Sequence, residues 1–312
     1  MSTGFATSTR RDAPTSKFLD LRALAALEQK RFTTRQRIEG AYSGRHTSRQ
    51  LGGAGEFVDY REYSAGEDLR RLDWRVLART GRTYIKLFQD ETNLVCTMLV
   101  DASRSMLMGS RSSRDTSGSK LEYAQYLTTA LSHIITCGRD QVGLATASAG
   151  LQDYHAPAST QTHATLLQQA IENIDTEPES RLDEALEELF QRNSRRGVLL
   201  LVSDFLLDDL QALFAKVRLF RHRQWEVVCL HLVHPEEERL PEGAAYRFDG
   251  LENDGVVACS PAEIRALYQE QFEKHLNAVR TFAVAAGCDY RLVSTAIPYL
   301  TTLSGFLVER AG

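Results

Sequence analysis

Short apolar runs alternate with helical stripes over the last two thirds of this 312-residue sequence. Residues 198–202 form a continuous apolar run, and residues 94–100 and 227–233 are nearly as apolar. A short apolar run of this kind is typical of a strand that is buried on both faces. The alternation with helices predicts an α/β fold, with a doubly wound, mostly parallel sheet that helices cover on both faces.

The first third of the chain has a different character, and we divide the sequence accordingly. Residues 1–17 are rich in Ser, Thr, Arg and Pro, which predicts a disordered N-terminus. Residues 18–92 combine a helical pattern, a basic stretch, a strand and a helix, and they predict a smaller N-terminal segment in which Trp74 is a buried anchor. Residues 93–312 form the predicted α/β domain.

Composition excludes several classes of protein. The formal net charge of −4 gives no basic field, so we expect no binding of nucleic acid. The apolar runs are too short for a transmembrane segment, and no signal peptide precedes them. The five cysteines are scattered and have neither metal-ligand nor redox spacing, which indicates reduced thiols. We therefore expect a cytoplasmic protein.

Oxygen-bearing side chains follow two of the apolar runs. Asp101 directly follows the run at residues 94–100, and Ser103 and Ser105 stand two and four positions after it. Asp204 follows the run at residues 199–202. In open α/β sheets ligands bind outside the carboxyl ends of strands, and oxygen ligands suit Mg²⁺ or Mn²⁺. The pattern predicts a divalent metal site, although Asp and Ser in a strand-to-helix turn also bond backbone amides without any metal.

The same residues resemble those of a known site. Asp101, Ser103 and Ser105, together with Asp204, resemble the metal-ion-dependent adhesion site of von Willebrand factor A domains. The upstream motifs resemble the signature of a bacterial family known as a domain of unknown function (number fifty-eight), whose members are linked with MoxR-type AAA+ ATPases; they are Glu56-Phe57, Tyr60-Arg61-Glu62-Tyr63, Gly66-Glu67-Asp68-Leu69-Arg70, Asp73-Trp74 and Ala78-Arg79. This match extends from about residue 52 to the C-terminus.

The resemblance implies a role for each site residue. Asp101, Ser103 and Ser105 would bind the metal directly, and Asp204 would act through water. Ser180 stands where such sites have a threonine, but with Asp183 three positions later it also has the pattern of a helix N-cap. An open metal position would accept a carboxylate from a partner protein.

The resemblance also implies a function and partners. We expect a non-enzymatic interaction module that acts with a MoxR-type AAA+ ATPase on protein clients presenting a carboxylate, membrane proteins among them. Two alternatives stay open. One is a metal-dependent hydrolase or phosphatase that uses Asp101, although Ser103 stands where aspartyl phosphatases have a second carboxylate. The other is a scaffold whose metal site is vestigial. The sequence does not determine the oligomeric state.

Two stretches near the predicted strand ends are expected to be loops. Residues 109–120 are rich in Ser, Arg and Gly and predict a mobile loop beside the metal site. Residues 236–238 are three consecutive glutamates and predict a solvated loop.

Overall fold

The chain forms two compact units in the computed structural model. One comprises residues 1–35 and 94–312, and the other comprises residues 36–93. The structure describes residues 16–25, 27, 32–33, 56–64, 72–89, 94–109, 118–193, 196–240, 242, 246–249 and 255–311. The predicted disordered N-terminus, residues 1–17, lies outside the described residues except for its last two.

The helices and strands of the described residues follow one another in chain order. They are α1 (Leu21–Leu24), β1 (Glu56–Glu62), α2 (Trp74–Thr80), β2 (Tyr84–Gln89), β3 (Val95–Asp101), a 3₁₀ helix (Arg104–Leu107), α3 (Lys120–Cys137), β4 (Gln141–Ser148), β5 (Gly150–Ala158), α4 (Gln161–Glu172), α5 (Leu182–Arg192), β6 (Val198–Ser203), α6 (Leu210–His222), β7 (Glu226–Val233), α7 (Pro235–Glu238), β8 (Tyr246–Asp249), β9 (Val256–Cys259), α8 (Pro261–Ala285), β10 (Asp289–Ser294) and α9 (Tyr299–Ala311).

A six-stranded sheet organises the first unit, in the order β10-β7-β6-β3-β4-β5. Neighbouring strands are parallel except β5, which pairs antiparallel with β4 at one edge. From β3 the chain builds outward through β4 and β5 on one side and through β6, β7 and β10 on the other. The strand order therefore reverses between β3 and β6. The predicted doubly wound, mostly parallel fold is confirmed.

Helices cover both faces of this sheet. Side chains alternate along each strand, so β3, β4, β6 and β7 contribute to both core clusters. Met98 and Val100 of β3 pack in one core cluster with residues of α3, α4 and α9. Leu99 packs in the opposite cluster with residues of α5, α6 and α8. Every residue of β6 is buried, as its continuous apolar run predicts. Burying one such side chain fully contributes about 1.5–3 kcal/mol, so the two clusters hold the central strand ends in place.

The N-terminal residues that the structure describes contribute to the first of these clusters. Leu24, Leu27 and Phe32 are buried against it. Arg310 of α9 donates from Nε to the Thr33 carbonyl at 2.8 Å, which joins this part of the chain to the C-terminal helix.

The second unit contains an antiparallel pair, β1 and β2, and the helix α2. Asp73 caps α2 by accepting from the Arg75 and Val76 amides, and Gly81 ends it in the left-handed conformation with φ +68°. Trp74 is 62% exposed, so the expectation of a buried anchor is wrong for this unit described by itself.

Two further features complete the fold. The antiparallel pair of β8 and β9 was not predicted from the sequence. Among the described residues, no helix has both the length and the apolar character that crossing a bilayer requires.

Candidate metal site

The two predicted acidic residues lie at the carboxyl ends of adjacent central strands. Asp101 is the last residue of β3, and Asp204 directly follows β6. The two strands are parallel and in register, with Val100 opposite Val202. Both carboxylates therefore lie at the point where the strand order reverses, which is where open α/β sheets bind ligands.

Asp101 is held by hydroxyl and amide groups. The Ser203 hydroxyl donates to its Oδ2 at 2.5 Å, and the Ser103 amide donates to its Oδ1 at 2.9 Å. The hydroxyl oxygens of Ser103 and Ser105 are 2.9 Å apart. Asp101 thus makes the turn contact expected without a metal, but the Ser103 side chain does not cap the 3₁₀ helix that follows it. The Ser103 hydroxyl faces Ser105 instead.

A loop ahead of α5 runs beside this turn. Glu177 pairs with Ser103 in a parallel bridge, and its carbonyl accepts from the Arg104 amide at 2.9 Å. Its own amide donates to the Ala102 carbonyl at 3.2 Å. The loop that contains Ser180 is therefore anchored to the backbone just after Asp101.

Ser180 lies on this loop with its hydroxyl unpaired among the described residues. The hydroxyl oxygen is buried, and it is not joined to the other four predicted ligands. The alternative of an N-cap at Ser180 is wrong, since Arg181 is the N-cap of α5 and makes no side-chain capping bond.

Asp204 has a cationic partner, unlike Asp101. The Lys120 ammonium group donates to its Oδ2 at 2.7 Å, the Leu206 amide donates to its Oδ1 at 3.1 Å, and the Ser105 hydroxyl bonds it as well. Lys120 also donates to Glu237 Oε1. Residues 109–120 were expected to form a mobile loop. Lys120, however, is the first residue of α3, and its side chain is 0% exposed. Residues 110–117 of that stretch lie outside the described residues.

The two carboxylates differ in acidity for physical reasons. Burial, and then the charge of Asp204, raise the pKa of Asp101 to about 6, against the opposing effect of its bonds to Ser203 and Ser103. Burial would also raise the pKa of Asp204, but the charge and hydrogen bond of Lys120 outweigh it and hold that pKa below its usual value. One carboxylate is thus stabilised as an anion, and the other is not.

Three residues of this site were not predicted from the sequence. Ser203 is the last residue of β6, and its place directly before Asp204 was a usable signal. Lys120 is the first residue of α3, and nothing in the sequence placed it beside Asp204. Glu237 belongs to the glutamate run expected to be a solvated loop; instead it lies in α7 and caps the His234 amide at 2.8 Å.

The residues present fit a hard divalent cation. Asp101, Ser103 and Ser105 offer one carboxylate and two hydroxyl oxygens, and Ser180 adds a buried hydroxyl with no partner among the described residues. No group of three or more His, Cys, Asp or Glu side chains in the described part of the chain is placed to hold a metal, so such a site would depend on hydroxyls and water. His231 is not a ligand candidate, because it is buried against Tyr290.

Several solved structures are similar to this chain at low sequence identity. An aerotolerance-related membrane protein from Bacteroides fragilis is 15% identical, with a TM-score of 0.47 over 70% of this chain and 99% of its own. BatB from Bacteroides thetaiotaomicron is 14% identical, with a TM-score of 0.45 over the same shares. A von Willebrand factor type A protein from Catenulispora acidiphila is 12% identical, with a TM-score of 0.44 over 84% of this chain and 51% of its own.

Relatives by sequence are uncharacterized. Proteins of Mycobacterium bovis and Mycobacterium tuberculosis are each 27% identical to this chain over 232 residues, which is 72% of this chain and 69% of theirs. The model of the family described as "Protein of unknown function DUF58" matches residues 59–278, more than half of the sequence. The chain therefore belongs to this family, as the upstream motifs predicted.

Proposed function

We propose that this protein is a non-enzymatic protein-interaction module with an adhesion-type metal site. The observation that carries the proposal is the environment of Asp101. This carboxylate is 1% exposed and lies where the strand order reverses, and its described hydrogen bonds come only from hydroxyl and amide groups. A buried charge is normally paired or bound to a metal, so Asp101 is suited to a cation supplied from solution.

Each residue has a defined role in this proposal. Asp101, Ser103 and Ser105 would hold Mg²⁺ or Mn²⁺ directly, Asp204 would act through water, and Ser180 would contribute its hydroxyl. The bound ion would supply an open position for a carboxylate of a client protein. The chain itself positions the oxygens: β3 ends at Asp101, and the bonds between Glu177 and the backbone at Arg104 fix the turn.

A binding role is favoured over hydrolysis by the neighbours of Asp101. Ser103 lies where an aspartyl phosphatase would have a second carboxylate, and its hydroxyl contacts Ser105 and Asp101 but no lysine or histidine among the described residues. The only described lysine beside the site, Lys120, is occupied by two carboxylates. Turnover of a generic phosphoester that disappears in Asp101→Ala would instead identify an enzyme.

The proposed partners rest on the resemblance of the upstream motifs. We propose a MoxR-type AAA+ ATPase and carboxylate-presenting clients, met in the cytoplasm, with membrane proteins among the clients. Metal-dependent capture of such an ATPase, lost in Asp101→Ala, would support this part. Capture that is unchanged in Asp101→Ala and Asp204→Ala would identify a scaffold whose metal site is vestigial.

The metal site is tested by thermal unfolding in the presence of Mg²⁺ or Mn²⁺. A ligand that binds only the folded state raises the midpoint, and we expect a rise of about 5 °C at a hundred times the dissociation constant. Asp101→Ala should lose this rise. Asp153→Ala, at an exposed position on β5, is the matched control and should retain it. The absence of any rise in the wild type at millimolar metal would contradict the proposal.

A further inference from the structure

Lys120 is a buried lysine at the edge of the candidate metal site. It is the first residue of α3, directly after the N-cap Ser119, and its side chain is 0% exposed. Taking an ammonium group out of water is costly unless charged partners surround it. A lysine in this position therefore needs a reason that packing alone does not supply.

Two carboxylates provide its partners. Asp204 Oδ2 accepts from the Lys120 ammonium group at 2.7 Å, and Glu237 Oε1 accepts from it as well. Glu237 is itself held in place, because its Oε2 accepts from the His234 amide at 2.8 Å and its carbonyl accepts from Tyr268 at 2.7 Å. Lys120 is thus held between two carboxylates, on the Asp204 side of the site.

The charges of these groups do not cancel. Lys120 carries one positive charge, and Asp101, Asp204 and Glu237 can carry three negative charges, so the four side chains sum to −2 when all are ionised. One divalent cation beside Asp101 would bring this sum to zero. Without Lys120 the same ion would meet a sum of −3 and would bind more tightly, because the ammonium group repels a second cation and pairs with one of the carboxylates that would attract it.

We propose that Lys120 is a tethered counter-ion that keeps Asp204 and Glu237 paired when no metal is bound, and that it thereby weakens the binding of a divalent cation at Asp101. This inference rests on the proposed metal site. It makes Lys120 a residue that sets metal affinity, not a ligand. Its consequence is a site that stays folded without metal and that exchanges its ion readily.

The test measures Mg²⁺ binding by titration calorimetry and thermal unfolding, at constant ionic strength, for the wild type and for Lys120→Met. We expect Lys120→Met to unfold about 10 °C lower in EDTA, because the buried Asp204 and the partly buried Glu237 lose their cation. We expect its dissociation constant for Mg²⁺ to fall at least about tenfold. Lys216→Met is the matched control: it removes the same charge from an exposed pair with Glu187 and should change neither quantity.

A second variant keeps the proposal testable if Lys120→Met fails to fold. Glu237→Gln removes one negative charge while its amide oxygen can still cap His234, so the dissociation constant for Mg²⁺ should rise about threefold or more. An unchanged or lowered constant in Glu237→Gln would overturn the proposal. Equal Mg²⁺ affinity of Lys120→Met and the wild type would overturn it as well, while leaving the metal site intact.

The failure of the metal site itself has a different signature. If the wild type shows no response to Mg²⁺ but Lys120→Met gains one that a further Asp101→Ala change abolishes, the native protein uses Lys120 in place of a metal. The proposed function would then fall, and the inference about Lys120 would stand. The absence of a response in every variant would overturn both.

Discussion

The site has an Asp101 half and an Asp204 half, each named for its carboxylate. The two carboxylates have equivalent positions in the sheet, but their pKa values move in opposite directions. Asp101 and Asp204 end adjacent parallel strands and are 1% and 3% exposed. Burial acts on both, yet the pKa of Asp101 is raised to about 6 and that of Asp204 is lowered. The difference in pKa comes from Lys120. Of these two carboxylates, its ammonium group bonds that of Asp204. Since both carboxylates are buried, the cationic partner decides the direction in which the pKa moves.

This contrast suggests that Asp204 is paired within the protein and that Asp101 is the carboxylate that binds a cation from solution. The Asp204 carboxylate has a cationic partner within the protein, Lys120, which also bonds Glu237. The Asp101 half has hydroxyls and an amide but no described salt bridge, so its charge is available to a cation from solution. If the two halves differ in this way, substitutions in them should have unequal effects, and the largest is expected at Asp204.

Removing the charge of Asp204 should cost the most stability. Asp204→Asn leaves the buried Lys120 with one carboxylate fewer, and breaking a buried pair typically costs about 3–5 kcal/mol. Glu187→Gln, which breaks the exposed pair with Lys216, should cost at most about 1 kcal/mol. Urea unfolding in EDTA measures both. Equal costs for the two variants would show that Asp204 depends on Lys120 no more than a surface pair does.

Asp101 should make the metal-free protein less stable as pH rises. Its pKa is about 6 in the folded state against 3.8 for the ordinary group, so the folded state binds the proton more tightly. The stability it contributes is complete below about pH 4 and is lost as pH rises through about 6, a change of about 3 kcal/mol.

Asp101→Asn isolates this effect, because asparagine does not titrate. The stability of Asp101→Asn relative to the wild type, measured by urea unfolding in EDTA, should increase between pH 4 and pH 7 by about the same 3 kcal/mol. A relative stability that does not change with pH would refute the raised pKa of Asp101. Saturating Mg²⁺ should reduce the difference, because the ion favours the charged carboxylate.

The smallest effect is expected at Ser180, on the loop that is bonded to the Asp101 turn. Its hydroxyl has no partner among the described residues, so Ser180→Ala should leave metal-free stability unchanged or raise it by about 1 kcal/mol. If the hydroxyl joins the metal, the same variant should show a smaller midpoint rise in Mg²⁺. Ser132→Ala removes a hydroxyl bonded within α3 and should leave the Mg²⁺ response unchanged. If Ser180→Ala shows the same midpoint rise in Mg²⁺ as the wild type, this serine is not a metal ligand.

The same contrast shows which features a linear sequence can predict. The apolar run in β6 and the polar residues after β3 and β6 are local patterns, so the strands, the switch point and the positions of Asp101 and Asp204 could be predicted. The buried position of Trp74 was predicted wrongly, because residue type indicates a preference for burial but not the neighbour that would cover the side chain.

Capping illustrates the same limit on a smaller scale. Asp209 caps α6, accepting from the Ala212 amide at 2.8 Å. Ser180 has an equally good capping pattern, but the helix begins one residue later. At this helix start the Arg181 amide donates to the Ser148 carbonyl at 2.6 Å, a tertiary contact that the capping pattern does not reveal.

The sequence by itself determined which strands would be buried and which carboxylates would end them, because periodicity and strand ends are properties of neighbouring residues. Only the tertiary structure decided the charge of each carboxylate. Lys120 is 84 residues from Asp204 and 117 from Glu237, and no local pattern connects them. The packing of α3 and α7 over the end of β6 brings the three together. The electrostatics of the site depend on that packing, because charge interactions act through space and not along the chain.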